Sequence, residues 1–239
     1  MNFKLESEIS KSVRIINKIM PDLDSPDLEV MLDLMRRAVG FVFMTTVRAG
    51  GGISGMVGSG LVMSKLQDGS WSAPVAIGAL GLSWGLQIGG AVCDVMIVLM
   101  KPEALLPFTD EAGTQFKFGP ESGVAVGPMG RMAGVSAHSM SYKDMDPAYT
   151  YTHAKGLFMG VSMEGAALSV RHDVNADFYG AELPVGLALE GGVLIPPPAK
   201  VLHRALDAVL AKRPANNTAH RAIAYGPSGG TYRAEVAGR

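Results

Sequence analysis

Three glycines in the first quarter of the chain have the spacing of a nucleotide-binding loop. Gly50, Gly52 and Gly55 fit the pattern G-x-G-x-x-G, and Asp68 follows at a distance that suits a contact with a ribose. In dinucleotide-binding domains this loop opens a helix, whose N-terminus holds the pyrophosphate. The residues after Gly55 instead alternate like a strand. The sequence therefore predicts glycine-rich β-structure here and disfavours a nucleotide site.

The other candidate motifs for catalysis or metal binding each lack a residue that the chemistry needs. Ser162 lies in GVSMEG, which is not the G-x-S-x-G elbow of a hydrolase. The run that begins at Asp173 starts like a calcium loop, but Phe178 and Pro184 stand where glycine and glutamate are required, so a polar turn is predicted. The histidines lack the spacing of metal ligands. We therefore predict a protein that is not an enzyme and that holds no cofactor or metal.

Composition limits the class of protein further. The chain has 239 residues, of which 48% are apolar, and a formal net charge of −1. That balance excludes the uniform positive field of non-specific nucleic-acid binders. The single cysteine, Cys93, excludes an internal disulfide and favours a reducing, cytoplasmic location. Charges interrupt the N-terminal run where a signal peptide would be apolar, and lipidation motifs are lacking at both termini.

Near the N-terminus, apolar and basic residues recur with the period of an amphipathic helix. At about 100° per residue the two kinds of residue fall on different faces. The apolar set is Leu5, Ile9, Val13, Ile16, Ile19 and Met20, and the basic set is Lys4, Lys11, Arg14 and Lys18. Such a helix either lies in a membrane interface or covers the core of its own domain. The pattern alone favours the core-covering alternative, because most amphipathic helices of soluble proteins have that role.

Start and stop signals define two further helices. Pro26 at a first helical position, Arg36 and Arg37 in a last turn and Gly40 beyond them predict a second N-terminal helix. Near the other end, apolar residues at helical spacing predict a closing helix that stops before Pro214; they are Val201, Leu202, Ala205, Leu206 and Val209. The residues after it contain few apolar anchors, so 213–239 is predicted to be a mobile tail.

Between these helices the sequence has the period of strands. Phe41–Val47 is a short apolar, β-branched run, and residues 57–64 alternate between two kinds of side chain. Asp68 and Gly69 mark a turn. We predict that Trp71, which follows this turn, anchors it in the core.

The apolar stretch Val75–Met100 is long enough to cross a bilayer as a helix, for which about 20 residues suffice. Its alternation indicates strands instead, because the bulky residues share one parity and the residues between them are mostly small; the bulky set is Leu80, Leu82, Trp84, Leu86 and Ile88. We predict a strand over 80–88, a second strand over Val92–Leu99 and no membrane-spanning segment. Asp94 is an isolated acid here, and nothing marks it as part of an acid/base pair.

Several motifs occur in the order found in SYLF domains. They are VRAGGGISGMVGSGLVMSKLQDGSWSAP, GLQIGG followed by Asp94, VAVGPMGR, YTHAKGLFMGVSMEGA and FYG at 178–180. Over roughly residues 5–210 the chain resembles this family, although it contains no SH3 or FYVE module. The resemblance implies a phosphoinositide-binding, membrane-peripheral protein, with actin and endocytic machinery as partners of yeast and animal members. It also implies that the N-terminal helix contacts lipid, through Lys4, Lys11, Arg14, Lys18, Ile9 and Ile16.

Together, pattern and resemblance predict an α+β domain over residues 1–212. Its β portion is expected to be a glycine-rich, mostly antiparallel sheet or barrel, flanked by two N-terminal helices and one C-terminal helix. By resemblance, the expected function is binding of acidic phosphoinositide membranes by a cytoplasmic, peripheral protein, with a link to actin and endocytic trafficking. The alternative is an actin-binding or actin-bundling protein whose lipid affinity is incidental.

Overall fold

The computed structural model describes the backbone of residues 4–20, 26–109, 120–125, 132–133, 137–138 and 146–212. The helices are α1 (Leu5–Ile19), α2 (Pro26–Arg37), α3 (Leu106–Thr109), α4 (His172–Tyr179), α5 (Val185–Leu189) and α6 (Ala199–Leu210), and a 3-10 helix (Pro102–Leu105) precedes α3. The strands are β1 (Gly40–Ser64), β2 (Val75–Leu99), β3 (Pro120–Ala125), β4 (Met132–Ala133), β5 (Ala137–His138) and β6 (Asp146–Val170). This order confirms the predicted α+β class, and the predicted tail lies outside the described residues.

Three strands of 25 residues each dominate the sheet. β2 lies between β1 and β6, both pairings are antiparallel, and β3, β4 and β5 extend the sheet beside β6. The prediction of strands in place of a spanning helix is confirmed, and no helix among the described residues is long and apolar enough to cross a membrane. The prediction of two separate strands between Val75 and Leu99 is wrong, because the chain stays paired through Gly89 and Gly90.

β1 turns back on itself in its middle. Gly50 and its partner on β2, Gly89, have φ angles of 153° and 130°, and Gly52 has a φ of 72°, which are conformations that favour glycine. The pairing register shifts by a bulge between Gly51 and Ile53. The two halves of β1 then lie against each other, because a Cβ placed on Gly60 would be only 2.0 Å from the Phe43 carbonyl oxygen. The motif that resembles a nucleotide loop is therefore the bend of this strand.

Both faces of the sheet are buried near the strand ends. One face packs under α1, α2, α4 and α6, through side chains such as Phe43, Leu61 and Met96. The opposite face packs against α3 and α5, through side chains such as Val42 and Ile77. The sheet is thus the middle layer of a helix–sheet–helix arrangement at this end of the molecule.

The polar turn predicted after Asp173 is a helix, α4, so this part of the prediction is wrong. Val174 buries an apolar side chain, and Gly180, with a φ of 74°, caps the helix C-terminus in the left-handed conformation. Asn175 accepts a hydrogen bond from the Ala76 backbone N–H at 2.8 Å through its side-chain oxygen. Contact with β2 therefore stabilises the helical conformation of α4. The turn preferences of single residues do not take such a contact into account.

Gly60 tests the close approach within β1. We expect Gly60→Ala to destabilise the protein by roughly 1–3 kcal/mol or more, because the added methyl group meets backbone atoms that cannot move independently. Gly55→Ala is the matched control, since a Cβ there meets no atom within 4 Å. Urea denaturation of both variants measures the difference, and equal free energies of unfolding would show that the two halves of β1 are not in contact.

The predicted core anchor, Trp71, is 3% exposed. Its ring centroid lies 5.4 Å from that of Phe41, and its Nε1 donates to Asp207 Oδ1 at 2.9 Å. We expect Trp71→Ala to cost about 3–5 kcal/mol, as large truncations in a core do. Trp71→Phe keeps an aromatic ring and part of the packing but loses the hydrogen bond, so the loss of stability should be smaller than for Trp71→Ala. A thermal melt of Trp71→Ala that matched the wild type would contradict the structural role.

Candidate functional site

The candidate lipid-binding residues all belong to α1 or to the residue before it. Glu6 and Glu8 occupy the first turn of this helix and Lys18 the last turn, which is the charge order that the helix dipole favours. Lys4, Lys11 and Lys18 are spaced by seven residues. Because a helix turns about 100° per residue, this spacing brings them to one side, with Arg14 beside them.

The apolar face of α1 covers the core. Ile9 is 2% exposed and Ile16 is 0% exposed, and both belong to the cluster formed by the helices and one face of the sheet. The core-covering alternative therefore describes this structure. Contact of Ile9 or Ile16 with lipid would require α1 to leave the sheet, and in this arrangement these two side chains are not a membrane surface.

Lys11 is held at the sheet by a buried polar cluster. Its Nζ donates to the Ser59 carbonyl oxygen at 3.0 Å and to Ser59 Oγ at 2.9 Å, and it forms an ion pair with Glu8. Ser59 Oγ in turn donates to Glu8 Oε1 at 3.0 Å. Two of the three N–H donors of the ammonium group are directed at Ser59, and its charge is paired with that of Glu8. Lys11 therefore fastens α1 to β1 in this arrangement.

Lys18 makes a second contact of this kind with β2. Its Nζ lies 2.5 Å from Asp94 Oδ2, and Thr45 Oγ1 donates to Asp94 Oδ1 at 2.7 Å. The Lys18 side chain is 36% exposed, whereas that of Asp94 is 12% exposed. The isolated acid of the apolar strand is thus the partner of a predicted lipid-binding residue. The signal for this pairing was present in the sequence, since an acid within a buried strand needs a cation or hydrogen-bond donors.

The electrostatics of Asp94 follow from these contacts. Burial opposes its ionisation, but hydrogen bonds from Lys18 and Thr45, with the charges of Lys18 and His153, hold its pKa below the usual value. A lowered pKa in the folded state means that the ionised carboxylate stabilises the fold above the unfolded value of about 3.9. That contribution is lost as the pH falls through the folded pKa.

Lys11 and Lys18 contact the sheet through their Nζ atoms, whereas Lys4 and Arg14 have exposed side chains for which the structure gives no such contact. The predicted stripe of four cations is therefore divided. Lys11 and Lys18 bind the sheet, while Lys4 and Arg14 face solvent on the same side of the helix. Contact of these four residues with lipid stays a prediction.

Among the described residues, no group of three or more His, Cys, Asp or Glu could hold a metal ion.

A double-mutant cycle tests the Lys18–Asp94 pair. We expect a coupling of about 1–3 kcal/mol between Lys18→Gln and Asp94→Asn, because losing one partner leaves the other poorly compensated. Arg37 and Asp33 form the control pair on α2, where both side chains are 61% exposed and about 0.3–0.5 kcal/mol is typical. Chemical denaturation at neutral pH and below pH 3 measures both cycles. Equal couplings for the two pairs at neutral pH would contradict the structural role of Asp94.

Sequence comparisons relate the chain to known proteins. A family model, Ysc84, described as "Las17-binding protein actin regulator", matches residues 80–209, from within β2 to within α6. Protein YSC84 of Saccharomyces cerevisiae is 35% identical over 205 residues, which is 85% of this chain and 43% of that protein. LAS seventeen-binding protein 3 of the same species is 33% identical over 228 residues, 95% of this chain and 46% of that protein.

A mammalian protein is similar to the same degree. SH3 domain-containing YSC84-like protein 1 of Bos taurus is 32% identical over 210 residues, which is 87% of this chain and 60% of that protein. The chain thus spans about half the length of the curated relatives it matches. No solved structure matches it.

Proposed function

The chain belongs to the Ysc84 (SYLF) family, and we propose that it is a peripheral protein that binds acidic phosphoinositides at the cytosolic face of a membrane. The proposed role also includes a link to actin and endocytic trafficking. It is a role in binding, without catalysis. Family membership agrees with the resemblance drawn from the sequence motifs.

The observation that carries the proposal is the cationic side of α1, by which we mean Lys4, Lys11, Arg14 and Lys18. Lys4 and Arg14 are exposed there, and the Lys18 side chain is 36% exposed. Each basic residue near an anionic bilayer contributes roughly 1 kcal/mol to binding. Without these four cations the net charge of the chain would fall from −1 to −5, so the charge is unevenly distributed and this side of α1 would be oriented toward an anionic surface.

The names of the relatives support a second candidate function. The family is described as an actin regulator, and one yeast relative is named for binding LAS seventeen. An actin-binding or actin-bundling protein would bind the filament through the same cations, because the actin filament is also acidic. In that case affinity for lipid would be incidental to the same charges.

Flotation on liposomes beside co-sedimentation with filamentous actin separates the two candidates. Phosphatidylcholine vesicles with phosphatidylinositol bisphosphate should carry the protein to the top of the gradient, and pure phosphatidylcholine vesicles should not. Binding to filaments without flotation would favour the actin-binding protein. Flotation without filament binding would support the membrane function and exclude direct contact with actin.

Lys4 and Arg14 provide the sharpest test of the cationic side. We expect Lys4→Gln/Arg14→Gln to weaken binding to the anionic vesicles by about 2 kcal/mol, roughly thirtyfold, with the melting temperature unchanged. Lys11 and Lys18 are left intact because their loss would unpair Glu8 and Asp94. Raising the salt concentration should reduce wild-type binding in the same direction, since the Debye length falls to about 3 Å at 1 M.

A second pair of exposed basic residues supplies the matched control. Lys200→Gln/Arg204→Gln removes the same charge from the surface of α6. The control should bind vesicles nearly as the wild type does. If both pairs weaken binding equally, net charge and not the cationic side of α1 is responsible. Full binding by Lys4→Gln/Arg14→Gln would exclude these two residues as headgroup contacts.

A further inference from the structure

The face of the sheet that lies under α1 continues beyond the helix as an exposed apolar surface. We call this surface the β patch; it consists of Ile53, Val57, Leu80, Leu82, Ile88 and Val92. Their exposed fractions are 72%, 49%, 67%, 65%, 69% and 43%. Contiguous apolar surface of this kind is rare on monomeric proteins and marks a site of interaction.

Strand pairing places these residues together. Val57 pairs with Leu80, and Val47 with Val92, across β1 and β2. Alternate residues of a strand share a face, so the patch lies on the face that carries Leu61 and the other core residues under α1. Neighbours on the opposite face are buried, with Ser54, Met56, Ala79 and Ala91 only 2%, 8%, 3% and 4% exposed. Among the residues of β1 and β2 whose side chains the structure describes here, the uncovered face is therefore the one that carries the patch.

The parts of β1 and β2 that carry the patch contain no charged residue, and the register pairs Val92 at the edge of the patch with Lys155 of β6. Residues 49–64 and 69–93 include no Asp, Glu, Lys, Arg or His. The surface of a soluble domain ordinarily has about a quarter to a third of charged residues, which keeps it hydrated. An uncharged, exposed sheet face across two neighbouring strands is better matched to an apolar environment than to water.

The cationic side of α1 borders this surface on both halves of the bend. Lys11 binds Ser59, two residues along β1 from Val57, and Lys18 binds Asp94, two residues along β2 from Val92. Each pair of strand residues lies on the same face of the sheet. Because Lys11 and Lys18 are paired with Glu8 and Asp94, the surplus positive charge beside the patch is that of Lys4 and Arg14, which are exposed on the same side of α1. Apolar surface and these cations thus lie on adjoining elements, an arrangement that complements an anionic bilayer, with apolar groups in its interface and cations at its phosphates.

We propose that the β patch is the surface that enters the interface of an anionic bilayer, while α1 stays docked and presents Lys4 and Arg14 to the headgroups. This inference rests on the proposed function and changes its lipid-contacting surface, because the apolar face of α1 remains in the core. Charge complementarity favours a bilayer over a second copy of the chain, since a second copy brings the same cationic border.

Serine substitutions in the patch test the inference. Leu80→Ser/Leu82→Ser/Ile88→Ser should weaken binding to phosphatidylcholine vesicles with phosphatidylinositol bisphosphate at least tenfold. Its melting temperature should be unchanged, because these side chains are exposed. Leu106→Ser/Leu187→Ser/Leu194→Ser is the matched control, with side chains 58%, 49% and 92% exposed on or near the short helices α3 and α5. The control should keep wild-type affinity.

A fluorophore gives a second measurement that does not depend on the triple variant folding. Cys93 is 5% exposed, so a thiol label on the single variant Leu82→Cys goes to position 82. Its emission should shift to the blue when vesicles are added, and the same label on Leu187→Cys should not respond. An unshifted label at position 82 on vesicle-bound protein would overturn the inference.

The outcomes separate this inference from the proposed function. If wild type binds anionic vesicles and the triple patch variant binds equally well, the β patch is not the contact and the function stands. If the triple variant changes from dimer to monomer in light scattering with vesicle binding intact, the patch joins two copies and the inference is overturned. If wild type binds no anionic vesicle, the proposed function and this inference fail together.

Discussion

The fold depends on the ability of β1 to turn back on itself while it stays paired with β2. Gly50, Gly52 and Gly89 adopt positive φ angles at the bend, and the halves of β1 meet at a distance that leaves no room for a side chain on Gly60. Because the chain does not leave the sheet there, the strand ends come together. The helices then cover these ends from both sides, and the bend itself projects beyond them.

The docking of α1 follows from this geometry. The helix covers the strand ends with Ile9 and Ile16, and its Lys11 and Lys18 bind Ser59 and Asp94. A buried or half-buried acid that has a cation partner is costly to separate, because either group alone would lack compensation. These contacts oppose release of the helix, and they also fix its cations at the border between the covered and the uncovered sheet.

The sequence predicted the helices and strands more accurately than the contacts between them. Helical periodicity located α1 and α6, start and stop signals located α2, and the alternation of Leu80 and Leu82 identified β2 correctly as strand. It divided β2 in two because Gly89 and Gly90 ordinarily end a strand, whereas here the neighbouring strand supports them. Periodicity also could not assign the partners of Lys18 or Asn175, since Asp94 and Ala76 become neighbours only after the sheet has formed.

The same limit applies to the candidate site. A helical wheel assigns an apolar and a cationic face to α1 and favours the apolar face as the core cover, but it does not show that Lys11 and Lys18 bind the sheet. The structure gives the apolar face to the core and leaves Lys4 and Arg14 in solvent. For α1 to insert into lipid, it would have to expose the side chains of the sheet that it covers and break its contacts with Ser59 and Asp94.

Membrane contact through a surface that is already exposed requires neither release of α1 nor loss of its contacts. The β patch needs no rearrangement to meet an apolar phase, because Leu80, Leu82 and Ile88 are uncovered in the folded protein. Burying such side chains is favourable by about 1.5–3 kcal/mol each when burial is complete. The free energy gained per buried side chain is comparable with the roughly 1 kcal/mol that each cation contributes to binding. A membrane contact made by the sheet beside a docked helix would therefore combine both contributions without any loss of core packing.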